Sequence, residues 1–362
     1  MKTQALLLAF AVSFSSLAQT LSTIEAVEYD PAGDRWFVSN NSSILETSDG
    51  GESWVYFGNG SASHGMEVLG DVLYVLKNSQ LRAYDLTTAE LVSTANFSPT
   101  PAFLNGMGND GENLLVISDF GSSRIYTADV SDPENIVTTM ITSVTGAPIA
   151  FNGVVVDTEN NRAIVVSWGS NAKIYEVDLV TGDYSILLLG TGLGNLDGID
   201  VDSEGNYYVS SWSPPRITKY NSDFTESETV VSSGLSSPAD ICYSIETDTL
   251  GVANSGSSQV TFHFFGTDDV QDISTSTEFD INLTGEELIF NINRPATFEL
   301  LAYSIEGKVM AREDIQLLQG MTRVQLSRLP QGFTNARLIT VIALESGTHT
   351  YRETFKQGLR QL

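Results

Sequence analysis

A polar residue that leads directly into a short apolar strand recurs six times between residues 25 and 242. The starts of these segments lie 39, 41, 47, 45 and 43 residues apart along the chain. The segments are Glu25-Ala26-Val27, His64-Gly65-Met66, Asn105-Gly106-Met107, Asn152-Gly153-Val154, Asp197-Gly198-Ile199 and Asp240-Ile241-Cys242. A period near forty residues indicates a repeat architecture in which each unit is one supersecondary element.

Most repeats continue through a turn into a second apolar strand, and a third strand follows. Asp202-Ser203-Glu204-Gly205, for example, precedes Tyr207-Tyr208-Val209, and a further apolar run covers residues 216–220. Short runs of Val, Ile, Tyr, Phe and Trp that alternate with Asp, Asn, Gly and Ser turns are typical of an all-β protein. About four strands in each forty-residue unit predict a six-bladed β-propeller over residues 19–268.

The N-terminus has the features of a secretory signal. Lys2 provides a positive charge, residues 5–14 are mostly apolar, and Ser16-Leu17-Ala18 fits a small-residue cleavage site. We therefore predict a signal peptide over residues 1–18 and an exported protein that is secreted or bound at the cell surface. The apolar stretch is too short to span a bilayer, and no other stretch approaches that length, so no transmembrane segment is expected.

Charge divides the remaining chain into two parts. Residues 1–270 hold 9 basic and 34 acidic side chains, whereas residues 271–362 hold 9 and 11. Such a shift indicates a domain boundary, and strand-like alternation after it predicts a small β-sandwich over residues 271–362. The net charge of −27 opposes binding to nucleic acid and to anionic lipid. One cysteine excludes an internal disulfide, and three histidines leave little room for a zinc site of several imidazoles.

The residues that open the six repeats form a candidate site. The first strand of each blade lines the central channel of a propeller, so these residues would form a polar ring. Its members are Glu25, His64, Asn105, Asn152, Asp197 and Asp240. Carboxylate and amide oxygens suit a hard divalent cation. Each Asn-Gly or Asp-Gly pair alone is an ordinary turn sequence, and His64 alone fits a structural role, but recurrence at one register favours a functional ring.

Residue types and spacing over roughly residues 20–265 resemble the regucalcin, gluconolactonase and luciferin-regenerating-enzyme family. The matching motifs are Phe151-Asn152-Gly153-Val154 and Asp197-Gly198-Ile199-Asp200-Val201-Asp202, the latter followed by a strand that ends at Trp212. The resemblance implies a six-bladed propeller with a divalent cation on its axis, calcium first, with magnesium or manganese as alternatives. The metal ligands that it implies are Glu25, Asn105, Asn152 and Asp197.

The same resemblance implies an exported, cation-dependent hydrolase of a lactone or a similar ester. The cation would polarise the carbonyl of a small-molecule substrate and stabilise the oxyanion. Asp197 would be the catalytic residue, as the base for water or as a ligand that orients it. The residues expected beside the metal ligands or against the substrate are His64, Asp240, Phe103, Trp168 and Trp212. Packing between blades is the alternative role for the two tryptophans.

Three departures from the family favour a second hypothesis, a non-catalytic binding propeller with a structural cation and a surface ligand. The family opens with Glu-Gly-Pro where this chain has Glu25-Ala26-Val27. Phe103 stands where the sugar-lactone members carry arginine, and Gly106 replaces an acidic residue. The cation site is thus separable from the groups that bind a sugar.

One further motif lies in the first repeat. Residues 47–54, Thr-Ser-Asp-Gly-Gly-Glu-Ser-Trp, fit the Asp-box pattern and resemble hairpins of sialidases and related propellers. Its expected role is structural, because Asp and Gly form the turn while Trp54 packs into the blade.

The last ninety residues are similar to the C-terminal sorting domains of the type IX secretion system. The matching segments are Glu306-Gly307-Lys308-Val309, Leu329-Pro330-Gln331-Gly332-Phe333 and Thr354-Phe355-Lys356. The resemblance implies that the secretion machinery is a partner, with cleavage of the domain on export left open. A generic β-sandwich that binds carbohydrate or protein is the alternative.

Overall fold

The computed structural model describes residues 18–265, 279–284, 287–303, 309–335, 338–345 and 348–356. Throughout these residues the chain consists of antiparallel strands, which confirms the all-β prediction. Helix within the same residues is limited to a 3-10 turn, Leu326–Arg328, and one short α-helix, Gly332–Asn335. The predicted signal peptide lies outside the described residues except for Ala18. Within the described ranges, no helix has the length and apolar character needed to cross a bilayer.

Residues 24–264 form six antiparallel sheets whose strands follow chain order. The first two sheets contain β1 (Ile24–Asp30), β2 (Arg35–Asn40), β3 (Ser43–Thr47), β4 (Val55–Tyr56), β5 (Met66–Leu69), β6 (Val72–Lys77), β7 (Gln80–Asp85) and β8 (Leu91–Asn96). The next two contain β9 (Leu104–Asn109), β10 (Leu114–Asp119), β11 (Arg124–Asp129), β12 (Val137–Ser143), β13 (Phe151–Asp157), β14 (Arg162–Ser167), β15 (Ile174–Asp178) and β16 (Tyr184–Leu188). The last two contain β17 (Gly194–Val201), β18 (Tyr207–Ser213), β19 (Pro215–Tyr220), β20 (Ser227–Val231), β21 (Pro238–Ser244), β22 (Thr249–Asn254) and β23 (Gln259–Phe264).

Aspartates form several of the turns that join the first and second strands. Oδ1 of Asp30 accepts the backbone N–H groups of Ala32 and Gly33, each at 3.0 Å. Oδ1 of Asp202 likewise accepts the backbone N–H groups of Glu204 at 3.0 Å and Asn206 at 2.9 Å. A short carboxylate that bonds its own backbone two to four residues ahead stabilises a tight turn, as the sequence pattern predicts.

The first strands of consecutive sheets contact one another in a closed cycle, from β1 through β5, β9, β13, β17 and β21 back to β1. Apolar clusters fill the spaces between neighbouring sheets; one of them joins Phe37 and Met66 of the first two sheets. The result is a propeller-like ring with six first strands at its centre, at the place where the sequence repeats begin.

The ring closes between the first and the sixth sheet. The aromatic rings of Trp36 and Phe262 have centroids 5.0 Å apart, and Leu21 packs into the same cluster. The backbone N–H of Thr23 donates to Oγ of Ser258 at 3.0 Å. The residues that follow the predicted signal peptide therefore lie against both sheets. Among the described residues the sixth sheet has three strands where the other five have four.

The Asp-box hairpin is a self-contained turn at the edge of the first sheet. Asp49 accepts hydrogen bonds from the Thr47 hydroxyl at 2.6 Å and from the Ser53 backbone N–H at 3.0 Å. The side chain of Trp54 is buried in the same apolar cluster as Trp36 and Phe262, where the first and sixth sheets meet. These contacts are structural, as the sequence predicts.

After residue 278 the described strands form two further antiparallel sheets. They contain β24 (Phe279–Thr284), β25 (Glu287–Ile292), β26 (Ala296–Tyr303), β27 (Val309–Leu317), β28 (Gly320–Gln325), β29 (Leu338–Glu345) and β30 (Thr348–Lys356). Phe290 and Phe298, from one sheet each, pack into a shared apolar core with Phe333 of the Leu-Pro-Gln-Gly-Phe segment. The Glu306-Gly307-Lys308 turn lies outside the described residues.

Candidate functional site

A β-bulge interrupts the first strand of five sheets at the place where the sequence repeat begins. In the first sheet, Glu25 and Ala26 together lie opposite the single residue Ser39. Side chains of a regular strand alternate, so residues i and i+2 share a face. One extra residue changes this relation to i and i+3. Glu25 and Glu28 are therefore both directed to the centre of the ring.

Buried serines stabilise three of these bulges. The hydroxyl of Ser39 accepts the backbone N–H of Ala26 at 2.8 Å. Ser118 accepts the N–H of Gly106 at 2.9 Å and donates to the carbonyl of Asn152, in the next sheet, at 2.7 Å. Ser210 makes the equivalent pair of bonds, at 2.8 and 2.7 Å, between the fifth and sixth sheets. The serine bridges Ser118 and Ser210 thus hold neighbouring ring residues in register.

The glycines that follow four of the ring residues allow the first strands to approach each other closely. A Cβ on Gly106 would lie 2.3 Å from the carbonyl oxygen of Asn152, and one on Gly153 would lie 2.4 Å from that of Asp197. Gly65 faces the carbonyl of Asn105 in the same way, at 2.8 Å. The contacted atoms are backbone and cannot rotate away. Close approach, rather than turn formation, therefore explains the repeated glycine.

Asp197 is a buried carboxyl of the ring. It is 4% exposed, and the amide of Asn152 and the indole of Trp212 lie beside it. Burial raises the pKa of Asp197 well above its usual range, and the nearby carboxylates of Glu25 and Asp240 raise it further. The Asn152 amide and the Trp212 indole act in the opposite direction, although the buried Nε1 of Trp212 has no hydrogen-bond partner among the described residues. The carboxyls of Glu25 and Asp240 are thus near enough to act on Asp197, and no salt bridge pairs it with a positive side chain among the described residues.

Glu25 is held from the sixth sheet. The hydroxyl of Ser255 donates to its Oε2 at 3.2 Å. Burial raises the pKa of Glu25, and this hydrogen bond lowers it. Glu25 also acts electrostatically on Asp197, although the two residues lie in sheets one and five.

Asn152 presents an unpaired acceptor to the same region. Its Nδ2 donates to the carbonyl of Leu196 at 3.1 Å, which fixes the amide because Leu196 offers an acceptor only. Its Oδ1 is buried and has no hydrogen-bond partner among the residues that the structure describes. A buried acceptor without a partner costs about 1–3 kcal/mol. A ligand that supplies positive charge or a donor at this point would remove that cost.

The donor set suits a cation only if the asparagines take part. No three His, Cys, Asp or Glu side chains among the described residues converge closely enough to hold a metal ion. A cation in the ring would need the amide oxygens of Asn105 and Asn152 in addition to Glu25 and Asp197. All four are oxygen donors, as calcium and magnesium prefer. Asn105 and Asn152 are both buried, so their amides have little access to solvent.

The sixth sheet is offset by one residue from the repeat that the sequence suggests. Its bulge consists of Ala239 and Asp240, opposite Ala253. Ala239 therefore takes the place that Asp197 has in the fifth sheet, and Asp240 takes the place of Gly198. The sixth ring position is apolar, and Asp240 lies beside the ring rather than in it.

Asp240 lies between two groups of acids. Burial raises its pKa well above the usual range, and the negative charges of Asp200 and Glu25 add to the effect. Its own backbone neighbour, the N–H of Ile241, donates to Oδ1 at 3.0 Å. Asp240 thus interacts both with Glu25 of the ring and with Asp200.

Sequence reasoning missed a second set of carboxyls, three residues further along the first strands. We call Glu28, Glu67 and Asp200 the inner acidic layer. Burial raises the pKa of each, to about 7 for Asp200. Glu28 and Glu67 also repel each other electrostatically. Cys242 lies near them, and burial raises the pKa of its thiol, which keeps the thiol neutral.

Hydrogen bonds within the protein occupy the inner acidic layer. Glu28 accepts the backbone N–H of Val68 at 2.9 Å, and Glu67 accepts Nδ2 of Asn109 at 2.6 Å. Asp200 accepts the backbone N–H of Tyr243 at 2.5 Å. Because these oxygens have partners, the layer differs from the ring, where Asn152 Oδ1 has none. We therefore assign the layer a structural role.

An aromatic arc borders the ring on one side. We define it as Phe103, Phe120, Trp168 and Trp212. Consecutive ring centroids along it lie 5.8, 6.0 and 4.9 Å apart, in edge-on arrangements. Trp168 and Trp212 contact each other, and both are partly exposed. The alternative role for the tryptophans, packing between sheets, therefore accounts for only part of their surface.

His64 lies at the end of the arc, with its ring 4.6 Å from that of Phe103. Its Nδ1 is 3.0 Å from the hydroxyl of Ser63. Burial lowers the pKa of His64 to about 4, and the positive charge of Lys77 contributes. The imidazole is therefore neutral at physiological pH and belongs with the aromatic border.

Two open depressions of the surface lie away from the ring. One, of about 460 Å³, is lined by Ser61, Arg82 and Tyr84 among other residues of the first two sheets. The other, of about 280 Å³, lies near Asp110 and Leu179. Neither includes a ring residue, so they do not change the choice of site.

No family model matches this chain, and no curated protein matches it. Among solved structures, a Bacteroides thetaiotaomicron protein of unknown function is 11% identical, with a TM-score of 0.55 over 68% of this chain and 70% of that one. A chain of a nidogen/laminin complex is 14% identical, with a TM-score of 0.45 over 80% and 94%. Hydrazine synthase from Kuenenia stuttgartiensis is 17% identical, with a TM-score of 0.48 over 68% and 84%. The likeness to the Bacteroides protein is one of fold alone, and it agrees with an all-β, propeller-like chain.

Proposed function

We propose that this chain is an exported six-bladed β-propeller that holds a divalent cation in its central ring and hydrolyses a lactone or a similar ester. The closed cycle of six first strands supports the blade number. The observation that carries the functional proposal is the unpaired, buried Oδ1 of Asn152 beside the clustered carboxyls of Asp197 and Glu25. A buried group of carboxyls together with an unused oxygen donor is suited to a cation.

Glu25, Asn105, Asn152 and Asp197 are the proposed ligands, with calcium as the preferred ion and magnesium or manganese as alternatives. When bound, the cation supplies positive charge that polarises an ester carbonyl. The same charge would favour the ionised form of Asp197, whose pKa burial otherwise raises.

Asp197 is the proposed catalytic residue. Its carboxylate would accept a proton from water or orient that water for attack on the ester. The Asn152 amide and the Trp212 indole lie beside it. Ser255 holds Glu25 in place through its hydrogen bond. His64, neutral and next to Phe103, is positioned to contact a substrate rather than to compete for the cation.

The test uses the full mature chain, residues 19–362, purified with and without a chelator. We expect about one equivalent of calcium per chain and hydrolysis of at least one lactone in a broad panel, lost on chelation and restored by calcium. Asp197→Asn should remove both. Glu67→Gln, in the inner acidic layer, is the matched control and should retain both. A chain without metal and without turnover would refute the proposal.

A non-catalytic binding propeller with a structural cation is the second candidate. It is favoured by the uncharged border of the ring, where Phe103 stands in place of the arginine of sugar lactonases. This candidate predicts bound metal without turnover, and a lower Tm after chelation. Turnover that depends on Asp197 distinguishes the first candidate from the second.

We also propose that residues 271–362 are a sorting β-sandwich recognised by the type IX secretion machinery, so that the protein is secreted or surface-bound. Two sheets with a shared core support a separate module. A Cβ on Gly332 would lie 2.6 Å from the carbonyl oxygen of Met310. This close contact gives a physical reason for the glycine of the Leu-Pro-Gln-Gly-Phe segment. Export of a reporter fused to residues 271–362 in a type IX-competent host would test the assignment.

A further inference from the structure

The border of the ring is aromatic on one side and polar on the other. In sheets three, four and five, one residue of the second strand lies opposite the bulge of the first. Phe120, Trp168 and Trp212 each come two residues after that residue, so they occupy equivalent positions. The equivalent residues in sheets six and one are polar, Ser255 and Asn41. Sheet two has no bulge in its recorded register, but Asn78 comes two residues after Leu76, which is hydrogen-bonded to Gly65. The repeats therefore give the site an apolar half and a hydrogen-bonding half.

The aromatic half is held in place although it is partly exposed. Phe103 is 41% exposed, yet both oxygens of the buried Asp119 fix its loop. Oδ1 accepts the Phe103 backbone N–H at 2.8 Å, and Oδ2 accepts that of Ala102 at 3.0 Å. Edge contacts with Phe120 and His64 restrict the ring itself. An exposed aromatic surface that is fixed in this way indicates a binding surface.

The arc also carries no charge. Its four members are apolar rings, and His64 at its end is neutral above a pKa of about 4. The carboxyls of Glu25 and Asp197 lie on its inner side, where Trp212 adjoins Asp197. A ligand on the arc would thus place an apolar group against the rings and a polar group at the carboxyls.

Resting on the proposed function, we propose that the aromatic arc selects the substrate class: a lactone or ester with an aryl or alkyl substituent, rather than a polyhydroxylated sugar lactone. The substituent lies on Phe103, Phe120 and Trp168. The ester group lies towards Asp197 and Glu25. A sugar lactone would leave its hydroxyl groups against apolar rings without hydrogen-bond partners, which is unfavourable.

The experiment separates binding from turnover. A phenyl-substituted pyrrolidinone, an inert lactam analogue, is titrated into the full mature chain with calcium, and binding is followed by calorimetry and tryptophan fluorescence. Kinetics are measured with phenyl-γ-butyrolactone and with glucono-δ-lactone. We expect the lactam to bind. We also expect the KM for the phenyl lactone to be at least about tenfold below the KM for the sugar lactone, a factor that corresponds to about 1.4 kcal/mol.

Variants of the arc test its role directly. Trp168→Ala and Phe103→Ser should each weaken lactam binding about tenfold, with metal content unchanged, because each removes an aromatic contact with the ligand. Trp168→Phe should restore most of the affinity and guards against a folding defect. Trp54→Phe, in the Asp-box hairpin, is the control that leaves the arc intact.

The outcomes are distinguishable. Unchanged lactam affinity in both arc variants, or a preference for the sugar lactone, would overturn the arc proposal even if hydrolysis occurs. Arc-dependent lactam binding without hydrolysis of any lactone would instead refute the hydrolase while supporting an apolar ligand on the arc.

Discussion

The carboxylate of Asp200 accepts the backbone N–H of Tyr243 at 2.5 Å, so a buried acid of the fifth sheet is bonded to the first strand of the sixth. Burial nevertheless outweighs this bond and raises the pKa of Asp200 to about 7. The same direction applies to Glu28 and Glu67, its partners in the inner acidic layer. The centre of the ring therefore contains acids that are more easily protonated in the folded chain than in the unfolded one.

This difference predicts an unusual pH dependence of stability. The folded chain binds more protons than the unfolded chain between the ordinary carboxyl pKa, about 4, and the raised value near 7. The free energy of unfolding should therefore fall as pH rises through this window. Thermal unfolding in chelator from pH 4 to 8, followed by circular dichroism, measures it. Asp200→Asn should flatten the profile near pH 7, and a wild-type profile that rises with pH would contradict the assignment.

The substitution Asp197→Asn should affect the Tm differently in chelator and in calcium. Asp197→Asn removes a buried acid that Glu25 and Asp240 repel, so the Tm in chelator at pH 8 should stay the same or rise. In calcium the wild type should gain stability and the variant should not, because a ligand that binds only the folded state raises Tm. Differential scanning calorimetry in both buffers checks this. Equal gains in calcium would show that Asp197 is not a ligand.

The serine bridges predict a cost to stability away from any ligand. Ser118→Ala removes the bonds to the Gly106 N–H and the Asn152 carbonyl, both in a buried region. The free energy of unfolding should fall by about 1–3 kcal/mol, because buried partners are left unpaired. Chemical denaturation measures the change. Ser170→Ala, at an exposed position, is the control and should have little effect; a similar loss in both would argue against the bridge.

The close approach of first strands predicts that glycine is required. Gly153→Ala would place its Cβ 2.4 Å from the backbone oxygen of Asp197. We expect a loss of about 1–3 kcal/mol, as for other overpacked sites, together with weaker calcium binding because the ring is displaced. Gly194→Ala is a suitable comparison, since its nearest contact is a side-chain atom of Ser213 at 3.2 Å. Denaturant titration and calorimetry of both variants would decide, and tolerance of Gly153→Ala would exclude the steric explanation.

The repeat made the all-β class and the position of the ring predictable from sequence. Polar residues at a constant register mark one end of each first strand, and Glu25, Asn152 and Asp197 do lie in one region. The register of the sixth repeat was not predictable. Ala239 and Asp240 correspond to Asp197 and Gly198 because each pair forms the bulge of its strand. The position of a bulge cannot be recognised in the sequence alone.

The inner acidic layer was missed for the same reason. Alternation places Glu28 on the opposite face from Glu25, and only the extra residue of the bulge brings both to the centre. A signal was present: acids recur three residues after the ring position in Glu28, Glu67 and Asp200. The continuity of the aromatic arc required the structure, because Phe103 precedes β9 and Phe120 follows β10, and the backbone N–H of Phe120 donates to the carbonyl of Phe103 at 2.9 Å.

Closure of the ring also sets the order in which the site is assembled. Glu25 receives its hydrogen bond from Ser255, 230 residues later in the chain, and Thr23 bonds Ser258 across a separation of 235 residues. Contacts this distant form slowly, since a long loop must be closed before they contribute. Until the sixth sheet packs against the first, one wall of the candidate site is absent. The candidate site is therefore complete only when the two ends of the ring have met, and a chain that ends before residue 255 would lack the Ser255 hydrogen bond to Glu25.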